Sequence, residues 1–195
     1  RDHYRDGNSQ PTTHPPSPAC LALYLHQHFS TDSLRVNADV SNTSLFRDLS
    51  SSPSSHVPST HIRYLIKQLN KYAELTIECN ICALIYIIRF LEKGGGVTKL
   101  THWNWRPILC TAFIIASKVQ DDLSMWNNEF NKIFKIWRWK VNLKTLNARE
   151  LAFLQAIQFD VIVSASEYTT WYFKLRDVSH TRSVLVLQRR FVADG

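Results

Sequence analysis

The sequence predicts an all-α fold, and three observations carry that expectation. Apolar residues recur at helical spacing in one segment after another between residues 59 and 159. No segment sustains the period-2 alternation of a half-buried strand. Proline is absent from residue 108 onward, so nothing there interrupts a helix. The centre of the pattern is Trp105 to Asp122, in which an uncharged run from Ile108 to Ser117 leads into Lys118 and then Asp121 and Asp122. At about 100° per residue, Ile108, Leu109, Ala112, Phe113, Ile115, Ala116 and Val119 make one broad apolar arc, with Ile114 opposite. A helix apolar nearly all round sits inside its domain with neighbours on several sides. Pro107 suits its first turn, where the missing N–H costs nothing.

The elements follow in order. Residues 1–19 hold Pro11, Pro15, Pro16 and Pro18 among Ser, Thr and Asn, and predict a disordered tail. Residues 20–58 form an extension. In it, Leu21, Leu25 and Phe29 suggest a short helix over Ala19 to Phe29, Leu45, Phe46 and Leu49 offer a further contact, and a Ser/Pro linker spans 50–60. The segment is too short to fold alone and should dock on the domain. After Pro58, Ser59 or Thr60 is placed to cap a helix carrying Ile62, Leu65, Ile66, Leu69 and Tyr72. Thr76 is placed to cap the next, with Glu78 in its first turn and Ile77, Ile81, Leu84, Ile85, Ile88 and Leu91 on its apolar face. That helix stops before Gly94, Gly95 and Gly96. Beyond the central helix a short helix is expected over Asn127 to Phe134, an irregular stretch over Lys135 to Lys144, and a helix over Leu146 to Phe159. Asp160 to Ser164 reads as an extended exit, and Tyr168, Trp171, Tyr172 and Leu175 mark a C-terminal helix over 166–177. Residues 179–195 are left unplaced.

At 195 residues the chain suits one domain of roughly 100–150 residues with extensions. It starts at Arg1, as a fragment, a processed chain or an incomplete gene model would, so an N-terminal signal or membrane anchor stays open. No apolar run nears the ~18 residues of a membrane helix, and no secretory signal is visible. Cys20, Cys79, Cys82 and Cys110 fall in apolar patterns, as free buried thiols of a reducing compartment do. An intracellular protein, cytoplasmic or nuclear, is expected. The net charge is +7, but residues 1–60 carry four arginines and five aspartates, which leaves +8 for the remainder. A basic domain suggests an acidic partner or nucleic acid without deciding between them.

One charge stands out. With Leu146 at zero, Phe153 and Ile157 fall at roughly −20° and 20°, Leu154 at about 80°, and Glu150 near 40°. A carboxylate within an apolar stripe costs several kcal/mol if buried unpaired. It should therefore face a cation or an interface. Lys118 at the end of the central helix could supply the cation, and the two could present paired charges at a shared groove. The alternatives are a snorkelling surface lysine and a carboxylate at the helix edge. Spacing alone leaves these open.

The order Tyr86-Ile-Ile-Arg-Phe-Leu91, Ile115-Ala-Ser-Lys-Val119, Arg149-Glu-Leu-Ala-Phe-Leu154 and Phe159-Asp160 resembles a cyclin box. More closely it resembles cyclin Y and the related fungal phosphate-pathway cyclins. Ala73-Glu-Leu-Thr-Ile-Glu-Cys79, Asn104-Trp-Arg106, Ser117-Lys-Val-Gln-Asp-Asp122 with Trp126-Asn127, and the aromatic run of Ser166 to Arg176 carry that finer likeness. It spans about residues 60–177. The resemblance implies a single five-helix cyclin box over 59–165 around a buried central helix, with an additional C-terminal helix at the start of 166–195. It implies a non-catalytic subunit that binds and activates a cyclin-dependent protein kinase of the PCTAIRE or PFTAIRE class. Lys118 and Glu150 match the family's kinase-contacting lysine and glutamate. Asp121 and Asp122 match the subfamily's acids beyond the central helix, as further kinase contacts or as capping and solvation of the helix end. Trp126 is expected to pack, and Arg89 to stabilise the domain. No cofactor, metal or small-molecule ligand is implied. The stretch Lys135 to Asn142 is longer and more basic than the family turn, and the chain after Asp177 departs from the resemblance.

Two rival readings stand beside it. Phe130 to Arg149 holds six basic residues and no acidic one, interleaved with Phe134, Trp137 and Trp139, which could stack bases and neutralise phosphates. Cyclin-like folds also serve in transcription factors, so a nucleic-acid-binding module is the alternative. Cys79 and Cys82 have the spacing of half a metal site, but no second pair completes it. His56, His61 and His102 read as solvated. No phosphate loop, nucleophile elbow or paired-carboxylate motif supports an enzyme.

Overall fold

A computed structural model of the chain describes residues 15–29, 45–48, 57–93, 99–139 and 141–178. It is all-α: α1 is Pro18–His26, α2 Ser59–Tyr72, α3 Ile77–Lys93, α4 Trp105–Gln120, α5 Asn127–Ile136 and α6 Leu143–Ala156. A further helix, α7, covers residues 165–178. Among the described residues there is no strand, only an isolated bridge between Phe29 and Leu100.

Helix α4 is the core. Every residue from Pro107 to Ser117 is buried, Ile114 included. Fully burying a side chain such as Ile108 or Phe113 stabilises the fold by about 1.5–3 kcal/mol. The polar members of the run bond within the helix, Thr111 Oγ1 donating to the Pro107 carbonyl at 2.7 Å and Ser117 Oγ to that of Ile114 at 2.9 Å. Helix α3 lies along α4, α6 packs on its other side, α5 rests on α6, and α1 lies against α2. Phe90 and Phe153 stack at 4.5 Å between centroids, which joins α3 to α6.

Thr76 caps α3 as expected, its Oγ1 accepting the Cys79 N–H at 3.4 Å. Ser59 and Thr60 do not cap α2. The helix starts at Ser59 behind Pro58, and Tyr72 at its far end is 42% exposed. Val119, placed on the apolar arc of the central helix, is 44% exposed, because the surrounding helices stop covering α4 at Ser117. Helix α1 begins at Pro18, inside the stretch read as tail. The irregular stretch of 135–144 is shorter at both ends: Lys135 and Ile136 close α5, and Leu143 opens α6 behind Asn142, whose Oδ1 accepts the Thr145 N–H at 2.7 Å. Within it Arg138 takes φ 57°, which turns Trp139 back so that its N–H reaches the Phe134 carbonyl at 2.9 Å. Helix α6 ends at Ala156, three residues before Phe159. Leu49 and most of the Ser/Pro linker, the glycine loop at 94–96, and the unplaced 179–195 lie outside the described residues.

Candidate interaction site

Three helices bring the two predicted charges together. Lys118 sits in the last turn of α4 and Glu150 in the middle of α6, with Lys118 Nζ 2.6 Å from Glu150 Oε1. The second oxygen, Glu150 Oε2, accepts from Asn127 Nδ2 at the start of α5. Asn127 Nδ2 also donates to Asn147 Oδ1 at 2.9 Å. The glutamate is thus held from two sides by side chains on different helices.

The pair is half in water: the Lys118 side chain is 31% exposed and that of Glu150 18%. Ion pairs this accessible contribute only about 0–1 kcal/mol to folding. Its hydrogen-bonding capacity is not used up either. An ammonium has three donors and a carboxylate roughly four acceptor positions. Two donors on Lys118 and further lone pairs on Glu150 are available to peptide groups of another chain. Exposed apolar side chains flank the pair in sequence: Val119 beside Lys118, Leu151 beside Glu150, and Leu123 and Trp126 in the connection from α4 to α5. A polar pair among apolar side chains that water still reaches has the composition of a protein interface.

The two predicted acids diverge. The Asp121 N–H closes α4 on the Ser117 carbonyl at 2.9 Å, and its carboxylate accepts from the buried Cys79 thiol at 3.5 and 3.6 Å. Burial pushes that thiol up, and the Asp121 charge adds to the effect. Asp122 is exposed to solvent. Trp126, expected to pack, is instead 79% exposed, and its N–H is capped by the Glu129 carboxylate at 2.7 Å.

Two other charged clusters do different work. Arg149, next to Glu150, is 5% exposed and points into the domain. Its Nε donates to the Leu45 carbonyl at 2.9 Å and its Nη2 to that of Arg47 at 3.2 Å, and its guanidinium lies over the Trp139 ring. Burial lowers its pKa, with Cys110 and Asp48 opposing. Asp48 completes this anchor, its carboxylate accepting from Arg106 Nη1 and from Trp139 Nε1, both at 3.2 Å. The segment 45–48 is thereby fastened to the core, with Phe46 inserted beside Phe90 and Phe153. Sequence reasoning missed Arg149 and Asp48 as anchors. The available signal was Arg149 at roughly −60° on the helix whose stripe begins at Leu146. Arg89 stabilises the domain as expected: it donates to the Asp160 and Ile162 carbonyls at 2.6 and 3.1 Å and pairs with Glu167 at 2.7 Å. The Tyr86 hydroxyl holds the Val161 carbonyl at 2.7 Å in the same exit segment.

The rival readings lose their chemistry. Phe134 and Trp139 are buried, Trp137 is partly buried against the core, and Arg149 is used internally, so most of the aromatic surface of the stretch packs inside the domain. All four cysteines are free and buried; burial raises the Cys82 thiol to about 12, far from the thiolate a metal needs. Among the described residues no cluster of His, Cys, Asp and Glu could hold a metal ion. His61 is exposed, His56 lies outside the described residues, and His102 is buried rather than solvated, its ring tilted against that of Trp103 at 4.4 Å between centroids. No helix among the described residues is long and apolar enough to cross a membrane.

A family model described as Cyclin matches residues 21–161, from α1 to the extended exit. Cyclin-U4-3 of Arabidopsis thaliana is 29% identical over 137 residues, which cover 70% of this chain and 60% of that relative. The chain therefore spans less than two thirds of that relative's length.

Proposed function

The chain belongs to the cyclin family, and we propose that it is the regulatory subunit of a cyclin-dependent protein kinase, docking through the Lys118–Glu150 pair. Proteins of this family regulate and do not catalyse. The observation that carries the reading is the pair itself: two charges from separate helices, fixed by Asn127 and left with open hydrogen-bonding positions at the surface. Helices α2 to α6 serve as the five-helix box of residues 59–165, with α1 and α7 as additions. Asp122 adds a rim charge to the docking face, and Asp121 shapes the end of α4 behind it. The motif likeness to cyclin Y and the fungal phosphate-pathway cyclins favours a kinase of the PCTAIRE or PFTAIRE class.

Activation is a matter of differential affinity. A subunit that binds the active conformation more tightly than the inactive one shifts the kinase toward it by that difference and no more. Lys118 and Glu150 meet peptide N–H and carbonyl groups of the kinase that are positioned for them only in that conformation, while the flanking apolar side chains supply buried area. Nucleotide, magnesium and the transferred phosphoryl group belong to the kinase.

The test is co-purification with PCTAIRE- and PFTAIRE-class kinases, wild type beside Lys118→Ala and Glu150→Ala. Each substitution should weaken the complex by about 2–5 kcal/mol, since it strands the other charge in the interface. Circular dichroism of the free variants should be unchanged. Wild-type retention of kinase by both variants refutes the docking assignment.

A further inference from the structure

Residues 45–48 precede the five-helix box, yet each of the four contacts a helix of the docking site or the chain leading into one. The Leu45 and Arg47 carbonyls accept from Arg149 on α6 at 2.9 and 3.2 Å. The Phe46 ring is buried, 6.3 Å from that of Phe153 on α6 and 5.1 Å from that of Phe90 on α3. Just ahead of α4, the Trp103 carbonyl accepts the Asp48 N–H at 2.6 Å, and the Arg47 guanidinium lies over the Trp103 ring. The Asp48 carboxylate reaches Arg106 in the first turn of α4 and Trp139 in the connection to α6, both at 3.2 Å. One short segment therefore ties α4 to α6 from the inside, while Lys118 and Glu150 join the same two helices at the rim.

The rim pair is too accessible to set how the helices lie. The inner face of α6 does that, and it is small. Within the helix Leu146, Arg149 and Phe153 are buried, and the last two of these rest on the segment 45–48. Nη1 of Arg149 has no hydrogen-bond partner among the described residues, so the Leu45 and Arg47 carbonyls are what satisfies the guanidinium. Without them a buried charge loses its partners, a penalty large enough to drive it toward water. Arg149 adjoins Glu150 on the helix, and any turn of α6 that frees the one displaces the other. At the roughly 5–6 Å outer radius of a helix, a rotation of about 20° carries a side-chain atom about 2 Å. A shift of that size breaks both the 2.6 Å contact from Lys118 Nζ to Glu150 Oε1 and the bond from Asn127.

We propose that residues 45–48 are a clip that positions the docking pair: through Arg149 and Phe153 they set the rotation of α6, and with it the place of Glu150 opposite Lys118. The inference rests on the reading of that pair as the kinase contact. It adds that the N-terminal extension is a working part of the site, although Phe46 and Asp48 are themselves buried. Both are positioning residues, acting on the kinase through Arg149, Phe153 and Trp139 without reaching it. Release of the clip therefore weakens kinase binding with Lys118 and Glu150 both intact.

The test reads the free protein first. The Asn127 side-chain amide donates to Glu150 and to Asn147, so its proton–nitrogen NMR signals report where the carboxylate stands. Their absence from Asn127→Ala assigns them. Phe46→Ala and, more mildly, Asp48→Asn should move those signals in the direction that Glu150→Ala does. Ile66→Ala, a truncation of an equally buried side chain in α2, should leave them in place. Phe46→Ala should also lower kinase affinity about tenfold, and that loss should vanish when Glu150 is already alanine. Ile66→Ala should bind kinase as the wild type does, which separates positioning from lost stability. Asp48→Asn keeps the core filled, so the comparison holds even where Phe46→Ala fails to fold, and circular dichroism checks each variant. Asn127 signals that stay in place in the folded clip variants overturn the proposal. So do signals that move as far in Ile66→Ala, or a loss of kinase affinity that persists undiminished beside Glu150→Ala. Displaced signals together with a Glu150→Ala variant that retains kinase refute the docking reading and leave the clip standing.

Discussion

Arg149 and Glu150 are consecutive residues on α6, oppositely charged and both hydrogen-bonded, yet they face different environments. Arg149 is buried, and its partners are carbonyls of its own chain at Leu45 and Arg47. Glu150 is partly exposed and its partners are side chains, Lys118 and Asn127, that leave lone pairs unfilled. The turn of about 100° between neighbours on a helix sends one inward and the other to the rim. Charge in a helix stripe is thus no mark of function by itself. What separates the two is whether the partners are main-chain groups fixed inside the fold or side chains gathered at its edge.

Removing each residue sharpens that difference. Arg149→Ala leaves the part-buried Leu45 and Arg47 carbonyls without this donor, takes a buried guanidinium from beside Asp48 and opens a gap against Trp139, so it should cost about 3–5 kcal/mol of folding stability. Urea unfolding measures it directly. Glu150→Ala should shift the same transition by about 1 kcal/mol or less. Equal losses in the two variants would make the Lys118–Glu150 pair a structural element and abolish the contrast. A smaller effect is expected from Asn127→Ala, which frees Glu150 Oε2 but also removes the buried, unpartnered Oδ1 of the same amide. Folding should hardly change, while kinase affinity falls by about 1 kcal/mol because Glu150 is less well held. A double-mutant cycle with Glu150→Ala checks this. The Asn127 effect must vanish once the carboxylate is gone.

The helices were legible because their signal is local. Burial of α4 on all sides follows from an uncharged run flanked by charges, and Thr76 and Glu78 announce the start of α3. The Lys118–Glu150 contact was legible only through the likeness to a family, since the two residues lie 32 apart and spacing gives no distance between helices. The stripe of α6 was read with Leu154 as a member. Leu154 is only partly buried, and the buried set is Leu146, Arg149, Phe153 and Ile157. Counting Leu154 rotated the inferred inner face toward Glu150 and away from Arg149. Asp48 was illegible for a different reason: its partners Arg106 and Trp139 are 58 and 91 residues away, beyond any periodicity. Trp126 misled because an aromatic residue suggests burial, whereas here its backbone is what α5 uses, as the N-cap.

Arg89 and Asp160 test whether exposure alone could have drawn the same line. The Asp160 side chain is 40% exposed, more than that of Glu150, yet its cluster ties the exit segment to α3. A hydrogen bond from Lys93 holds the Asp160 carboxyl below its ordinary 3.8 against the opposing effect of desolvation, and the Arg89 and Lys93 charges act in the same direction as the hydrogen bond. A carboxylate whose pKa is depressed by folding contributes stability that is fully present above the unfolded value and is lost as pH falls through the folded one. The contribution should therefore be intact at about pH 5 and fade below about pH 4. Asp160→Asn should remove that part of the acid sensitivity and leave kinase binding as it was. Unfolding curves of the two proteins at about pH 5 and about pH 3 read the first expectation, and co-purification reads the second. If Asp160→Asn weakened the complex as Glu150→Ala does, exposure would be the better guide to the docking face, and the direction of the partners would lose its meaning.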